Sequence, residues 1–285
     1  MKLRISAILA AALFVPAGLH AQGIILGTNL LIDGDAESAT GAPEGNAVVA
    51  APGWTTTGNA TVGIYAADSS SDSIPALNSP GPKNRGVNLF TGGPDNETSS
   101  FSQLVSVSSV SARIDAGQLS AALSAYLGGF DSQEDNATVT ATFLNGTGGT
   151  ISSVSLPAIT AADRDSITGV LLRSATVIVP PLTRVISVVL SFTRTDGSYN
   201  DGYADNLSLV LSPVVPVLAI AHESGGMKVS WPSIINQTYE AQWSGDLITW
   251  TDLANGAVTT GTGAALSFLD PSPTASRRFY RLLLP

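Results

Sequence analysis

The 285-residue sequence contains no cysteine, and only 12% of its residues are charged and 6% aromatic. With no thiols, disulfide staples and cysteine nucleophiles are both excluded, so the fold must rest on its hydrophobic core and on any bound ions. Histidine is nearly absent too. Of two histidines, His20 lies in the leader described below and His222 near the C-terminus, with no Gly-X-Ser-X-Gly motif anywhere, which excludes a Ser-His-Asp hydrolase and a histidine-ligated zinc site. No stretch of about eighteen apolar residues runs without polar interruption, so no transmembrane segment is expected. Basic residues are also scarce. Thirteen Lys and Arg against twenty-two Asp and Glu give a formal charge of −9, a balance that repels nucleic acid and anionic lipid.

The N-terminus reads as a secretory signal peptide over residues 1–21. Lys2 and Arg4 precede an apolar run from Ile5 to about Val15, followed by Pro16 and Leu19-His20-Ala21. The remainder is expected to be secreted, extracellular or at the cell surface, and removal of Lys2 and Arg4 makes its charge −11 (−9 less two positive charges).

The rest is rich in Ser, Thr, Gly, Asn and Ala between alternating apolar residues, the composition of an extracellular all-β protein. In 137–143, Val139, Ala141 and Phe143 share one face; in 186–193, Ile186, Val188, Leu190 and Phe192 do the same. Period two with β-branched and aromatic residues predicts half-buried antiparallel strands. Residues 118–127 are read as a strand, although their alanines also suit a helix, and only 160–172 has room for a helical turn. Turn signals at Pro52-Gly53, Gly92-Gly93-Pro94, Pro180-Pro181 and Asp201-Gly202 recur at sandwich spacing. Residues 22–212 form the first domain in this reading. Pro213 to Pro216 is a stiff linker, and 217–285, with Trp231, Trp243 and Trp250, is a second small β-sandwich of about six strands near 217–222, 226–231, 238–243, 248–253, 265–269 and 278–283.

Four short motifs in the first domain carry a family resemblance: Asn29-Leu30-Leu31, Asp33-Gly34-Asp35-Ala36-Glu37, Pro52-Gly53-Trp54 and Asp205-Asn206-Leu207-Ser208-Leu209. They resemble the galactose-binding-like jelly rolls that include many carbohydrate-binding modules, with Asp33 in place of the usual Asn and Asn206 in place of a second Asp. The resemblance implies a jelly-roll β-sandwich with a structural Ca²⁺ between its first and last strands. Carried over by position, the ligands are Glu37 and Asp205 with Asp35 as a third, and Ca²⁺ chemistry suits them because the ion takes six to eight carboxylate and carbonyl oxygens. Ordinary turn carboxylates are the alternative. The tail, through Val229-Ser230-Trp231-Pro232, Tyr239 to Ser244, Asp246 to Trp250 and Arg278 to Leu282, resembles fibronectin type III-like modules of secreted bacterial proteins, which implies a spacer or an attachment element.

Tyr199, Asn200, Asp201 and Tyr203 are the candidate ligand-binding residues, because rings and planar hydrogen-bonding groups are what sugar recognition uses. An Asx-type turn with packed tyrosines is the competing reading. Trp54 is assigned to the core, and the Arg277, Arg278, Arg281 cluster to a solvated strand face or cross-strand pairs rather than to an anionic polysaccharide. A glycosidase needs only two carboxylates and twenty-two acids supply many pairs, but none sits in a catalytic signature. The expectation is a secreted non-catalytic protein, carbohydrate-binding or cell-surface, whose partner is a polysaccharide or cell-surface glycan. A structural or adhesive surface protein without a sugar ligand is the alternative, followed by a polysaccharide-degrading enzyme.

Overall fold

A computed structural model describes residues 24–43, 45–66, 74–253, 258–271 and 277–284; the signal-peptide assignment lies outside them. The architecture is all-β. In the first unit the strands are β1 (Ala42–Pro43), β2 (Thr55–Thr57), β3 (Thr61–Ile64), β4 (Asn88–Pro94), β5 (Thr98–Ser106), β6 (Leu119–Gly129), β7 (Asn136–Leu144), β8 (Thr150–Leu156), β9 (Gly169–Ile178), β10 (Val185–Thr193) and β11 (Tyr199–Pro213). They build one sheet in the order β1-β3-β4-β11-β6-β9 and a second in the order β2-β5-β10-β7-β8.

Alternation in the sequence becomes alternation in burial. Leu119, Ala121, Leu123, Ala125 and Leu127 of β6 all point into the interior, which settles that segment as strand. Val139, Ala141 and Phe143 of β7 and Ile186, Val188, Leu190 and Phe192 of β10 meet them between the sheets. Aromatic edges lock the centre: Phe90 lies 5.7 Å from Trp54 and 5.2 Å from Phe101, and Phe101 lies 6.3 Å from Phe192, all ring to ring and edge-on. Trp54, 8% exposed, is thus core as expected, and its indole N–H donates to the Asp33 carbonyl at 3.1 Å. Among the described residues helix is limited to 3₁₀ turns at Ser108–Val110 and Ala162–Arg164 and the single turn α1 (Ser111–Asp115); the sequence reading anticipated only the turn within 160–172.

The tail pairs β12 (Ala219–Glu223), β13 (Gly226–Pro232) and β17 (Ala265–Asp270), while β14 (Thr238–Ser244) takes β15 (Thr251–Asp252), β16 (Thr259–Thr260) and β18 (Phe279–Leu283). Trp231 and Tyr239 fill its small core. The strand expected over 248–253 shrinks to Thr251–Asp252, because Asp246 holds the preceding residues in a turn. Its carboxylate accepts the N–H groups of Ile248 at 2.9 Å and Thr249 at 2.8 Å, bonds that hold its pKa down at about 2.

Candidate functional site

The opening segment closes the first unit by running against its last strand. Gly27 and Leu30 donate backbone N–H bonds to Leu211 and Leu209, and the Asn29 side chain spans the same seam, donating to the Leu207 carbonyl and accepting from the Leu31 and Leu209 amides. A β-bulge between Asp205 and Ser208 turns β11 here, with Asn206 in the left-handed region at φ 49°. The turn 33–36 reaches the bulge through a Leu207 N–H bond to the Gly34 carbonyl at 2.7 Å. Only glycine fits at 34, since a Cβ there would lie 2.2 Å from the Leu207 carbonyl oxygen.

The three acids that the resemblance nominated lie along this seam without converging into one cluster. Asp205 is 0% exposed; its Oδ2 accepts the Tyr65 hydroxyl at 2.8 Å and its Oδ1 accepts the Asn206 amide at 2.6 Å. Burial pushes its pKa up to about 7 against these two bonds, and the charges of Glu37 and Asp35 push it further. Glu37 Oε1 accepts the amides of Val87 and Asn88 at 2.8 and 2.7 Å. Asp35, on the exposed side, accepts the Glu37 amide at 3.4 Å. Asp33 adds an Oδ2 shielded from solvent with no hydrogen-bond partner.

Among the described residues no Lys or Arg forms an ion pair with these carboxylates. Arg85 lies over the Tyr65 ring at 5.2 Å, yet its guanidinium donates to the carbonyls of Ala76, Ser79 and Pro82. Like charges without a counterion, beside an orphaned buried carboxylate oxygen, are the setting a hard divalent cation fits. Among the described residues no three carboxylate, imidazole or thiolate groups stand close enough to hold a metal by themselves, so an ion here would also draw on main-chain carbonyls.

Beside the acids lies an open polar groove of about 460 Å³. Its lining includes Asp33, Asp35, Asn84 and Asn206, and half-buried Tyr126 and Ser208 stand on neighbouring strands β6 and β11. Sequence reasoning missed Tyr65, Asn84 and Tyr126, which lie outside every motif and reach the seam only through sheet pairing.

Residues 199–203 are placed differently from the expectation. They belong to strand β11 rather than to a loop, and Asn200, Asp201 and Tyr203 are buried. Tyr199 is half-buried, its hydroxyl 2.5 Å from Thr91 Oγ1, and burial pushes its pKa up to about 12. Tyr203, packed with Tyr65 and Leu89, donates to Asp201 at 2.7 Å, and burial raises the Asp201 pKa to about 6. Asn200 donates to the Glu97 carbonyl. The four form an internal polar network, not an open sugar platform, because a second bulge in β11, between Asn200 and Tyr203, turns this stretch inward.

The tail arginines are engaged as well. Arg278 stacks on Trp243 at 3.9 Å and pairs with Asp270, and Arg281 stacks on Trp250 at 4.1 Å while bonding Gln242. Their charge supports the strand pair β14–β18.

No protein-family profile matches the sequence, and no curated protein does. Among solved structures, a Family 16 Carbohydrate Binding Module-2 aligns with 64% of this chain and 99% of its own length at 17% identity and a TM-score of 0.39. The xylan-binding domain CBM22-1 of Paenibacillus barcinonensis Xyn10C covers 57% of this chain and 88% of that one at 15% identity and a TM-score of 0.33. The enzymatically active domain of Bacteriophage CBA120 tailspike protein 4 aligns with 66% of this chain, which spans 22% of the tailspike domain, at 14% identity and a TM-score of 0.37. Carbohydrate-binding modules thus recur among the matches, but TM-scores this low carry no functional conclusion for this chain.

Proposed function

We propose that the chain is a secreted, non-catalytic carbohydrate-binding or cell-surface protein whose jelly-roll domain is held at its seam by Ca²⁺ and whose fibronectin type III-like tail spaces or anchors it. The observation that carries this reading is the seam itself: carboxylates with no cationic partner, next to an open groove of amides, hydroxyls and one tyrosine ring. Glu37 and Asp205 would hold the ion, with Asp35, the third nominated acid, adding charge nearby rather than a ligand, and carbonyls of the 33–37 turn and β11 would complete the shell. When bound, Ca²⁺ supplies the positive charge that lets Asp205 stay ionised while buried. The rest belongs to the protein: Tyr65 and the Asn206 amide orient the Asp205 carboxylate, and the Val87 and Asn88 amides fix Glu37. Burial of Asp205 and Asp201, each bonded to a tyrosine hydroxyl, favours structural over acid–base roles for both.

Elemental analysis and thermal melts with and without chelator test the ion: absence of bound calcium together with an unchanged melting temperature sinks it. A glycan array run both ways tests the ligand. The alternative, a structural or adhesive surface protein without a sugar ligand, is favoured by the outer face of the five-stranded sheet. There Ser100, Ser102, Ser187, Ser191, Thr138 and Thr140 present hydroxyls without rings or charge. Failure to retain any glycan at millimolar concentration selects that alternative.

A further inference from the structure

We propose that the seam groove selects uncharged glycans, with Tyr126 as its ring platform and Asn84 as its amide donor; this rests on the carbohydrate-binding reading and names the ligand class. The groups on its walls are already partly fixed. Asn206 Nδ2 donates to Asn84 Oδ1 at 3.2 Å, which orients both amides and leaves Asn84 Nδ2 as a donor and Asn206 Oδ1 as an acceptor. Neither the Tyr126 hydroxyl nor the Ser208 hydroxyl has a hydrogen-bond partner among the described residues, and both line the groove. Asp35, exposed in the same lining, brings a carboxylate whose lone pairs accept from hydroxyl donors. A sugar hydroxyl both donates and accepts, so adjacent hydroxyls match this mixture, while the half-buried tyrosine offers an apolar face to the C–H side of a ring.

Charge sets the class. The groove has two carboxylates, Asp33 and Asp35, and no Lys or Arg in its lining. With Asp33 and Asp35 in the lining and no Lys or Arg there, a uronate or sulfated sugar would meet like charge that a Ca²⁺ held at Glu37 and Asp205 offsets only in part, a discrimination by repulsion. The volume of about 460 Å³ falls within the range of small-ligand sites, which suits a short stretch of sugar units rather than a long chain laid across a sheet.

The test is affinity electrophoresis and calorimetry on the full chain, loaded with calcium and then freed of unbound calcium, which would gel the polyuronates, with galactan, xylan and mannan as neutral probes and polygalacturonate and alginate as anionic ones. The expected result is retention by at least one neutral polymer and none by the polyuronates. Tyr126→Ala and Asn84→Ala should each weaken that binding roughly tenfold, the scale of one ring contact or one directed hydrogen bond. Melting temperatures are measured for both, and Asn84→Ala serves where Tyr126→Ala does not fold. Ser187→Ala, on the other sheet, should leave affinity unchanged. Neutral-glycan binding that survives both groove substitutions, or a preference for polyuronates, overturns this inference while leaving carbohydrate binding intact. No retention by any of the five polymers overturns both.

Discussion

The Tyr65 hydroxyl reaches across 140 positions of sequence to donate to Asp205 Oδ2 at 2.8 Å, joining the end of β3 to the middle of β11 inside the protein. A buried carboxylate that loses a donor keeps its desolvation penalty, which costs about 1–3 kcal/mol. Tyr65→Phe removes only that oxygen, so it is expected to lower the melting temperature by several degrees in chelator. An unchanged melt would show that the bond contributes nothing net.

Two carboxylates on β11 make stability depend on pH in an unusual direction. Burial raises Asp205 to about 7 and Asp201 to about 6, from an ordinary 3.8. A raised folded-state pKa means that the native state binds the proton more tightly than the unfolded chain. Its contribution is complete below about pH 4 and is lost as pH rises through 6 to 7, on the order of a few kcal/mol. With chelator present, the melting temperature should therefore fall between pH 4 and 7. Asp205→Asn should flatten much of that slope; a slope of the opposite sign in the parent protein refutes the linkage.

Gly34→Ala should disrupt the seam. The added methyl meets the Leu207 carbonyl oxygen at 2.2 Å, and both partners are main chain, so relief requires separating the turn from β11. The loss of the Leu207–Gly34 bond and the seam contacts is expected to cost more than about 2 kcal/mol. Denaturant melts and amide exchange at Leu207 would report it, and parent-like protection there would contradict it.

Arg278 and Arg281 look alike in sequence and should behave differently. Arg278 pairs with Asp270 where both side chains are nearly buried, 11% and 6% exposed, so Arg278→Ala strands a carboxylate and should cost about 3–5 kcal/mol. Arg281 stacks on the half-exposed Trp250, and Arg281→Ala should cost about 1 kcal/mol or less. Urea melts followed by tryptophan fluorescence separate the two; equal losses would contradict the contrast.

Much of the fold was legible because burial in a sheet has period two. Leu119 to Leu127, Val139 to Phe143 and Ile186 to Phe192 announce their inward faces without knowledge of their partners. Trp54 was legible as core only through the resemblance, whose Gly-Trp position packs inward, and not from any local pattern; it is buried here. Residues 199–203 were misread because a mixture of Tyr, Asn and Asp looks the same whether it faces solvent or an internal network. Two bulges in β11 decide which way each side chain points, and a bulge is a property of a strand and its partner together. The strand expected at 248–253 failed for a smaller reason, one carboxylate capping the turn before it.

By itself, the sequence determined the all-β class, most of the strands and the absence of cysteine, since these depend on composition and local periodicity. Tertiary structure decided which residues share the seam. Glu37, Tyr65, Asn84, Tyr126 and Asp205 come from five separate stretches of chain, and only sheet pairing places a turn, a loop and three strands around one acidic pocket and its groove. Proximity of that kind is set by the register of distant strands, which no local pattern of residues encodes.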